Sequence, residues 1–254
     1  MKKEFPILEF DTSKRVIIDP QQIIKPLDIS EYCMVCFFQE VITKIFKQGK
    51  SKIINYLQSE MGKHPVYEMV LKGKRITFFH PGVGAPLAAA LLEEVIALGC
   101  KKFIACGGAG VLDSKIKRGQ ILVPTSAIRD EGTSYHYLPP SREVEASKKA
   151  IESIEKVLNK YNFKYMKTKT WTTNAFYRET KNIIELRKSE GCLAVEMEAA
   201  AFFAVAKYRN VEFGQLLYGG DDVSAEKWDS RNWQNHISSR EKLFYLAAEA
   251  CLAI

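Results

Sequence analysis

LAVEMEAAAFFAVAKYRNVEFGQLLYGGDD, residues Leu193–Asp222, is the stretch whose reading decides the fold. Leu193–Val195 is a short apolar run, and Glu196, Met197 and Glu198 follow it directly. Ala199–Lys207 is covered by small and apolar residues on nearly every side, which predicts a buried helix, with Asn210 as its stop. Phe213–Tyr218 then reads as a buried strand ending at Gly219-Gly220-Asp221-Asp222. In open α/β sheets ligands sit beyond the carboxyl ends of strands, and here two successive strand ends carry paired carboxylates. Glu196 and Glu198 could simply favour a helix start through the helix dipole. The aspartate pair after two glycines shifts the balance, because glycines let a ligand approach the backbone. A methionine between hydrogen-bond acceptors offers a polarizable apolar surface beside groups that take hydroxyl protons, a combination suited to a sugar.

Outward from that stretch, the chain alternates strands with helices. Lys14–Asp19 reads as a strand ending at Asp19-Pro20, and Gln39–Leu57 carries apolar residues at helical spacing with a break at Gly49. Val66–Leu71 and Arg75–His80 flank Lys72-Gly73-Lys74 as a hairpin. Pro81–Pro86 joins that second strand to a helix over Ala85–Leu98, where Gly82 and Gly84 are expected to leave backbone N–H groups open to an anion or hydroxyl. Lys101–Cys106 is a buried strand running into Gly107-Gly108-Ala109-Gly110, a second glycine-rich strand end. Gly119–Pro124 is a further strand, and the string RDEGTSYHY at 129–137 reads as a surface loop with internal salt bridges. Glu143–Tyr161 is an amphipathic helix, Tyr165–Thr172 a strand, Thr180–Ser189 a helix, and Trp233–Leu252 a closing helix. Phe176, in the loop Thr173–Tyr177, is either a core aromatic or a ring that stacks on a flat base. The hairpin makes the central sheet mixed, so the expected fold is α/β: one domain over 1–254, a three-layer α/β/α sandwich around a mixed, twisted sheet.

Composition narrows the function classes. The 254 residues are 46% hydrophobic and 26% charged, and no apolar run reaches membrane-spanning length. Met1-Lys2-Lys3 leads into Glu4, Pro6 and Glu9 rather than an apolar signal core, so a cytoplasmic location is the expectation. The six cysteines lie in apolar surroundings and read as reduced core residues. Cys33-Met-Val-Cys36 has metal-type spacing but neither a second pair nor a nearby histidine, so no metal site is assigned. The net charge of +7 suits anionic small molecules, whereas scattered lysines without a basic-aromatic motif argue against nucleic acid.

The motifs together resemble the nucleoside phosphorylase family that holds the hexameric purine nucleoside phosphorylases, the uridine phosphorylases and related nucleosidases. The resemblance rests on Asp19-Pro20, GVGAP at 82–86, KKFIACGGAG at 101–110, Phe176-Tyr177 and, most specifically, VEMEAA at 195–200. RDEGTSYHY looks most like the uridine phosphorylase branch. The resemblance implies that Met197 and Glu198 hold the ribose hydroxyls and that Phe176 packs on the base. Purine-cleaving members place an aspartate after the next strand, and the separation here, 221 − 198 = 23 residues, is similar to theirs. That implies Asp221 as the general acid at purine N7, with Asp222 as the alternate. It also implies a homo-oligomer, a dimer or a hexamer built from dimers, with no cofactor beyond inorganic phosphate as a possible co-substrate.

The departures are as informative. The family's phosphate-binding glycine and arginine fall at Ile18 and Gln22, and a further arginine and hydroxyl residue fall at Ala105 and Gly108. The residues that read uracil fall at Thr180 and Asn182, and the histidine donated to a neighbour's ribose is replaced near Pro6. The sugar site and the acid are retained while the phosphate cradle is largely absent, although backbone N–H groups at Gly107 and Gly108 could still bind an anion. The sequence therefore leaves open a phosphorylase acting on a nucleoside (a purine nucleoside first), a nucleosidase that uses water, and a nucleoside-binding protein without catalysis.

Overall fold

The computed structural model describes residues 2–233 and 237–254. Its strands are β1 (Tyr32–Cys36), β2 (Ser51–Ser59), β3 (Gly62–Leu71), β4 (Lys74–Phe79), β5 (Lys102–Val111), β6 (Ile121–Asp130), β7 (Glu143–Glu145), β8 (Tyr165–Thr173), β9 (Cys192–Glu196) and β10 (Glu212–Asp222). The helices are α1 (Pro20–Ile23), α2 (Gln39–Lys47), α3 (Ala85–Leu98), α4 (Lys148–Lys160), α5 (Lys181–Ser189), α6 (Ala199–Arg209) and α7 (Ile237–Cys251). The described strands form one ten-stranded mixed sheet. Helices α3 and α6 pack on one face of it, through Ala88, Leu92, Phe202 and Val205. Helices α2, α4 and α7 cover the other, through Ile42, Ile154 and Phe244. This is the expected mixed α/β arrangement.

One end of the sheet closes on itself. β5 runs parallel to β10, β10 antiparallel to β6, β6 parallel to β8, β8 parallel to β9, and β9 antiparallel to the end of β5, which makes a ring of five strands. Close approach inside the ring needs glycine: a Cβ on Gly110 would lie 3.0 Å from Val195 Cγ1. β10 breaks register between Gly219 and Asp222, which lets its end bend over the ring. The remaining strands, β1 to β4, extend the sheet as a flank, with β3–β4 the predicted hairpin.

The elements around the opening stretch form as read. In α6 every residue from Ala199 to Ala206 is buried, and Asn210 ends it in the left-handed conformation at φ 54°. Helix α3 spans the predicted Ala85–Leu98. The strand β5 continues through Gly107, Gly108 and Gly110 instead of turning there.

Four expectations are corrected. Lys14–Asp19 is not a strand: Ile17 and Ile18 are exposed with no sheet partner, and Asp19 instead caps α1 through the Gln21 N–H at 3.2 Å. The first strand is β1, which takes in Cys33–Cys36, and all six cysteines are free and buried. The helical pattern after Gly49 is also misleading, since Ser51–Ser59 is strand β2. A register shift between Ile53 and Asn55 disturbs the two-residue alternation there, so the apolar spacing imitates a helix. Glu143–Glu145 is an edge strand on β6, and the helix that follows starts only after Ser147, whose Oγ accepts from Ala150 N. RDEGTSYHY is not a surface loop laced with salt bridges. Arg129 and Glu131 are buried, and the Arg129 guanidinium donates to the carbonyls of Ser134, Leu138 and Pro139 and to the hydroxyls of Ser134 and Ser141. Of the closing helix predicted from Trp233, residues 234–236 lie outside the described residues.

Candidate active site

Beyond the carboxyl ends of β9 and β10 lie two adjoining chambers. The larger, about 910 Å³, is lined by Phe176, Tyr177, Glu179, Asp221, Trp228 and the Glu196-Met197 pair, among others. The smaller, about 280 Å³, is lined by Phe37, Phe38, Gly107, Gly108, Glu198, Gln215 and Arg240. Glu196, Met197 and Trp233 border both, so the chambers meet across the end of β9. Asp221, Phe176, Met197, Glu198, Gly107 and Gly108 therefore surround one cleft.

The two glutamates are held differently. Glu196 Oε2 accepts from the N–H groups of Glu198 and Ala199 at 2.7 and 2.6 Å, and its Oε1 accepts from the Thr172 hydroxyl at 2.6 Å. Thr172 Oγ1 in turn accepts from Ala200 N at 2.9 Å. These contacts satisfy the open donors at the start of α6, so the plain helix-start role describes Glu196 well. Glu198 Oε1 accepts from Gly84 N at 2.6 Å, and the Met197 N–H also donates to its carboxyl group. Burial raises both carboxyls above the ordinary glutamate range, and for Glu198 the charge of Glu196 adds to the effect.

Gly82 and Gly84 do not present open N–H groups, which corrects the expectation for that turn. Gly84 N–H is taken by Glu198, and Gly82 N–H donates to His80 Nδ1 at 3.0 Å. The turn positions the glutamate instead of meeting a ligand directly. Glycine is still required: at Gly82, with φ +76°, a Cβ would fall 2.3 Å from Leu87 Cδ2. Gly107 and Gly108 sit against aromatic rings, with Cβ positions 3.0 Å from Phe37 and 3.1 Å from Tyr218.

The aspartate pair divides sharply. Asp222 is buried, pairs with Arg231 at 2.5 Å and accepts from Ser224 N at 2.8 Å. Asp221 lines the larger chamber, and its Oδ2 accepts from the Trp228 indole N–H at 2.7 Å.

Several lining residues escape sequence reading. Glu179 lies beside Phe176 and Asp221, and burial with the Asp221 charge pushes its carboxyl up to about 7. Trp228 comes from a stretch with no periodic pattern, and Trp233 reads only as the start of the closing helix. Arg240 reaches the smaller chamber from α7, with its Nη1 2.7 Å from Glu40 and its Nε 3.1 Å from the Tyr218 hydroxyl. Phe37 and Phe38 follow β1, the true first strand. Ile18 and Gln22, matched to a phosphate loop through the misread strand, line neither chamber, and Asp19 pairs with Arg209 at 3.4 Å.

Comparison with known proteins defines the class. The family described as "Phosphorylase superfamily" matches residues 32–253, and the chain belongs to it. Among its relatives, it is 28% identical over 163 residues to a guanosine phosphorylase of Halorubrum lacusprofundi, covering 62% of this chain and 68% of that protein. It is 26% identical over 211 residues to a uridine phosphorylase of Thermococcus kodakarensis, covering 75% and 72%. Its fold matches a purine nucleoside phosphorylase of Toxoplasma gondii with a TM-score of 0.75 over 91% of this chain and 92% of that one, at 17% identity. The two relatives just named carry the names of phosphorylases with different bases, and a further fold match, at 23% identity and a TM-score of 0.69, is an AMP nucleosidase of Bacteroides thetaiotaomicron. Among the described residues no helix is long and apolar enough to cross a membrane.

Proposed function

We propose that this protein cleaves the N-glycosidic bond of a purine nucleoside and transfers the pentosyl group to phosphate. The observation that carries the reading is the pair of chambers meeting at Met197, with Asp221 on one side and Glu198 with Gly107-Gly108 on the other. The base lies in the larger chamber against Phe176. Glu198 accepts from the ribose hydroxyls and fixes the ring. Asp221 gives its proton to N7 as the C1′–N9 bond breaks, so the base leaves as a neutral molecule. A phosphate oxygen approaches from the smaller chamber and forms the new bond to C1′, yielding ribose 1-phosphate and free base. Arg240 supports this side of the reaction, since it lines the smaller chamber with a guanidinium that the sequence motifs do not supply.

A second reading, hydrolysis by water, is favoured by one observation: Arg240 is already matched by Glu40. Base release from a nucleoside panel, run in phosphate-free buffer and again with phosphate, separates the two. Release that requires phosphate supports transfer, and equal release in both buffers establishes hydrolysis. If no nucleoside yields base in either buffer, the enzymatic reading is lost and a binding protein remains.

A further inference from the structure

Gln215 lies in the wall of the smaller chamber, on β10, and is only 1% exposed. Its Oε1 is buried and accepts no hydrogen bond. The fold explains why no neighbour satisfies it. β10 runs parallel to β5 with Gln215 directly opposite Ala105, whose methyl group carries no donor. The guanidinium in the same wall is engaged elsewhere: Arg240 donates through Nη1 to Glu40 at 2.7 Å and through Nε to the Tyr218 hydroxyl at 3.1 Å. Phe37, Phe38 and Val83, also in the lining, have no polar side-chain atom. A buried amide oxygen without a donor is costly, and a ligand that brings one removes the cost.

We infer that Gln215 binds the phosphate and reads its protonation, Nε2 donating to one phosphate oxygen while Oε1 accepts the proton of the P–OH group. A side-chain amide offers a donor and an acceptor together. At mildly alkaline pH phosphate and arsenate each keep a hydroxyl, whereas sulfate is fully deprotonated and offers acceptors alone. Sulfate therefore leaves Oε1 without a donor and sets it against a negative oxygen. The chamber accordingly selects phosphate and arsenate over sulfate. It does so by hydrogen-bond pattern, since all three anions arrive as dianions and the Arg240 charge is already balanced by Glu40. The inference rests on the proposed transfer to phosphate and adds a residue that chooses the acceptor anion.

The test titrates inorganic phosphate, arsenate and sulfate calorimetrically, at equal ionic strength and mildly alkaline pH, into the wild type and Gln215→Met. Alongside it, the KM for phosphate and the inhibition by sulfate are measured for base release from a purine nucleoside. The wild type is expected to bind phosphate and arsenate at least about tenfold more tightly than sulfate. Gln215→Met keeps the side-chain length and removes the amide. It is expected to raise the KM for phosphate about tenfold or more, to leave the KM for nucleoside near the wild-type value, and to bring phosphate and sulfate to similar affinity. Thermal melting checks that the variant is folded, and the wild-type comparison of anions stands without it. Sulfate that binds the wild type as tightly as phosphate, or a variant that keeps both phosphate affinity and the preference over sulfate, overturns the role of Gln215; phosphate-dependent release then leaves the transfer reading intact. Release that does not require phosphate sinks that reading, and the titrations still decide whether Gln215 selects the anion. A wild type that binds none of the three anions overturns the inference as well.

Discussion

The two ends of the cleft handle acidic side chains in opposite ways. Around β9, Glu196 is saturated by backbone N–H groups and Thr172, and Glu198 is tied to Gly84. Around the end of β10, Asp221 has a single indole donor and Glu179 none among the described residues. A carboxylate that closes a helix start is part of the fold. One left short of donors in a chamber is available to a ligand. The contrast separates the residues that build the site from those poised to act in it.

The sharpest break of this contrast is Asp221→Asn, which removes the transferable proton. Base release is expected to fall about 10²–10⁴-fold, while melting temperature barely moves. A variant with near-normal turnover would show that Asp221 is not the acid. Next comes the comparison within the motif. Glu198→Gln is expected to lower kcat/KM about tenfold to hundredfold by weakening the grip on ribose. Glu196→Gln should instead cost about 1–3 kcal/mol of folding stability, because with the amide oxygen kept on the two backbone donors the N–H₂ faces the Thr172 hydroxyl, which loses its acceptor. Denaturant unfolding beside steady-state kinetics reads both, and equal effects on both quantities would erase the distinction. A smaller change is expected for Trp228→Phe, which deletes the donor to Asp221 Oδ2 and shortens the ring that lines the chamber, with kcat reduced by about tenfold or less. The pH profile of kcat is the readout that separates this positioning role from simple loss of packing.

Proton linkage gives a further test. Glu196 and Glu198 have carboxyls raised by burial, so the folded state holds their protons more tightly than the unfolded chain does. Their stabilising contribution is complete below the unfolded value of about 4.3 and is lost as pH rises through the folded values. Melting temperature should therefore decline from mildly acidic to mildly alkaline pH, and Glu198→Gln should flatten that decline. A wild-type profile that rises over the same range would contradict the burial argument.

Much of the scaffold was legible because its signals are local. The run Ala199–Lys207 admits only a buried helix, and Asn210 tolerates the left-handed stop. The hairpin at Lys72-Gly73-Lys74 has a turn with positive φ at Lys72 and Gly73, which glycine makes easy. The misread segments are those where local pattern and tertiary demand diverge. Lys14–Asp19 has strand-like residues but no neighbour to pair with. Ser51–Leu57 carries a bulge that turns alternation into helical spacing. Arg129 looks like a surface charge until five backbone and hydroxyl acceptors gather around it. The EME motif and Asp221 could be picked out as acids near strand ends, whereas Glu179 and Trp228 lie in stretches with no distinctive spacing, and Gln215 and Arg240 lie in a predicted strand and helix that give no sign of facing a chamber.

What the sequence determined by itself was most of the order of strands and helices from β3 onward, β7 aside, and the pairing of carboxylates with two strand ends, since both follow from periodicity and from residues a few positions apart. Only the tertiary structure decided that β5, β10, β6, β8 and β9 close into a ring. It likewise decided that Asp222 is neutralised while Asp221 is not, and that an arginine from the last helix reaches the far chamber. The ring and the arginine depend on contacts between residues far apart in the chain, and the two aspartates find Trp228, Ser224 and Arg231 only through the way the chain after β10 folds back, which no local propensity encodes.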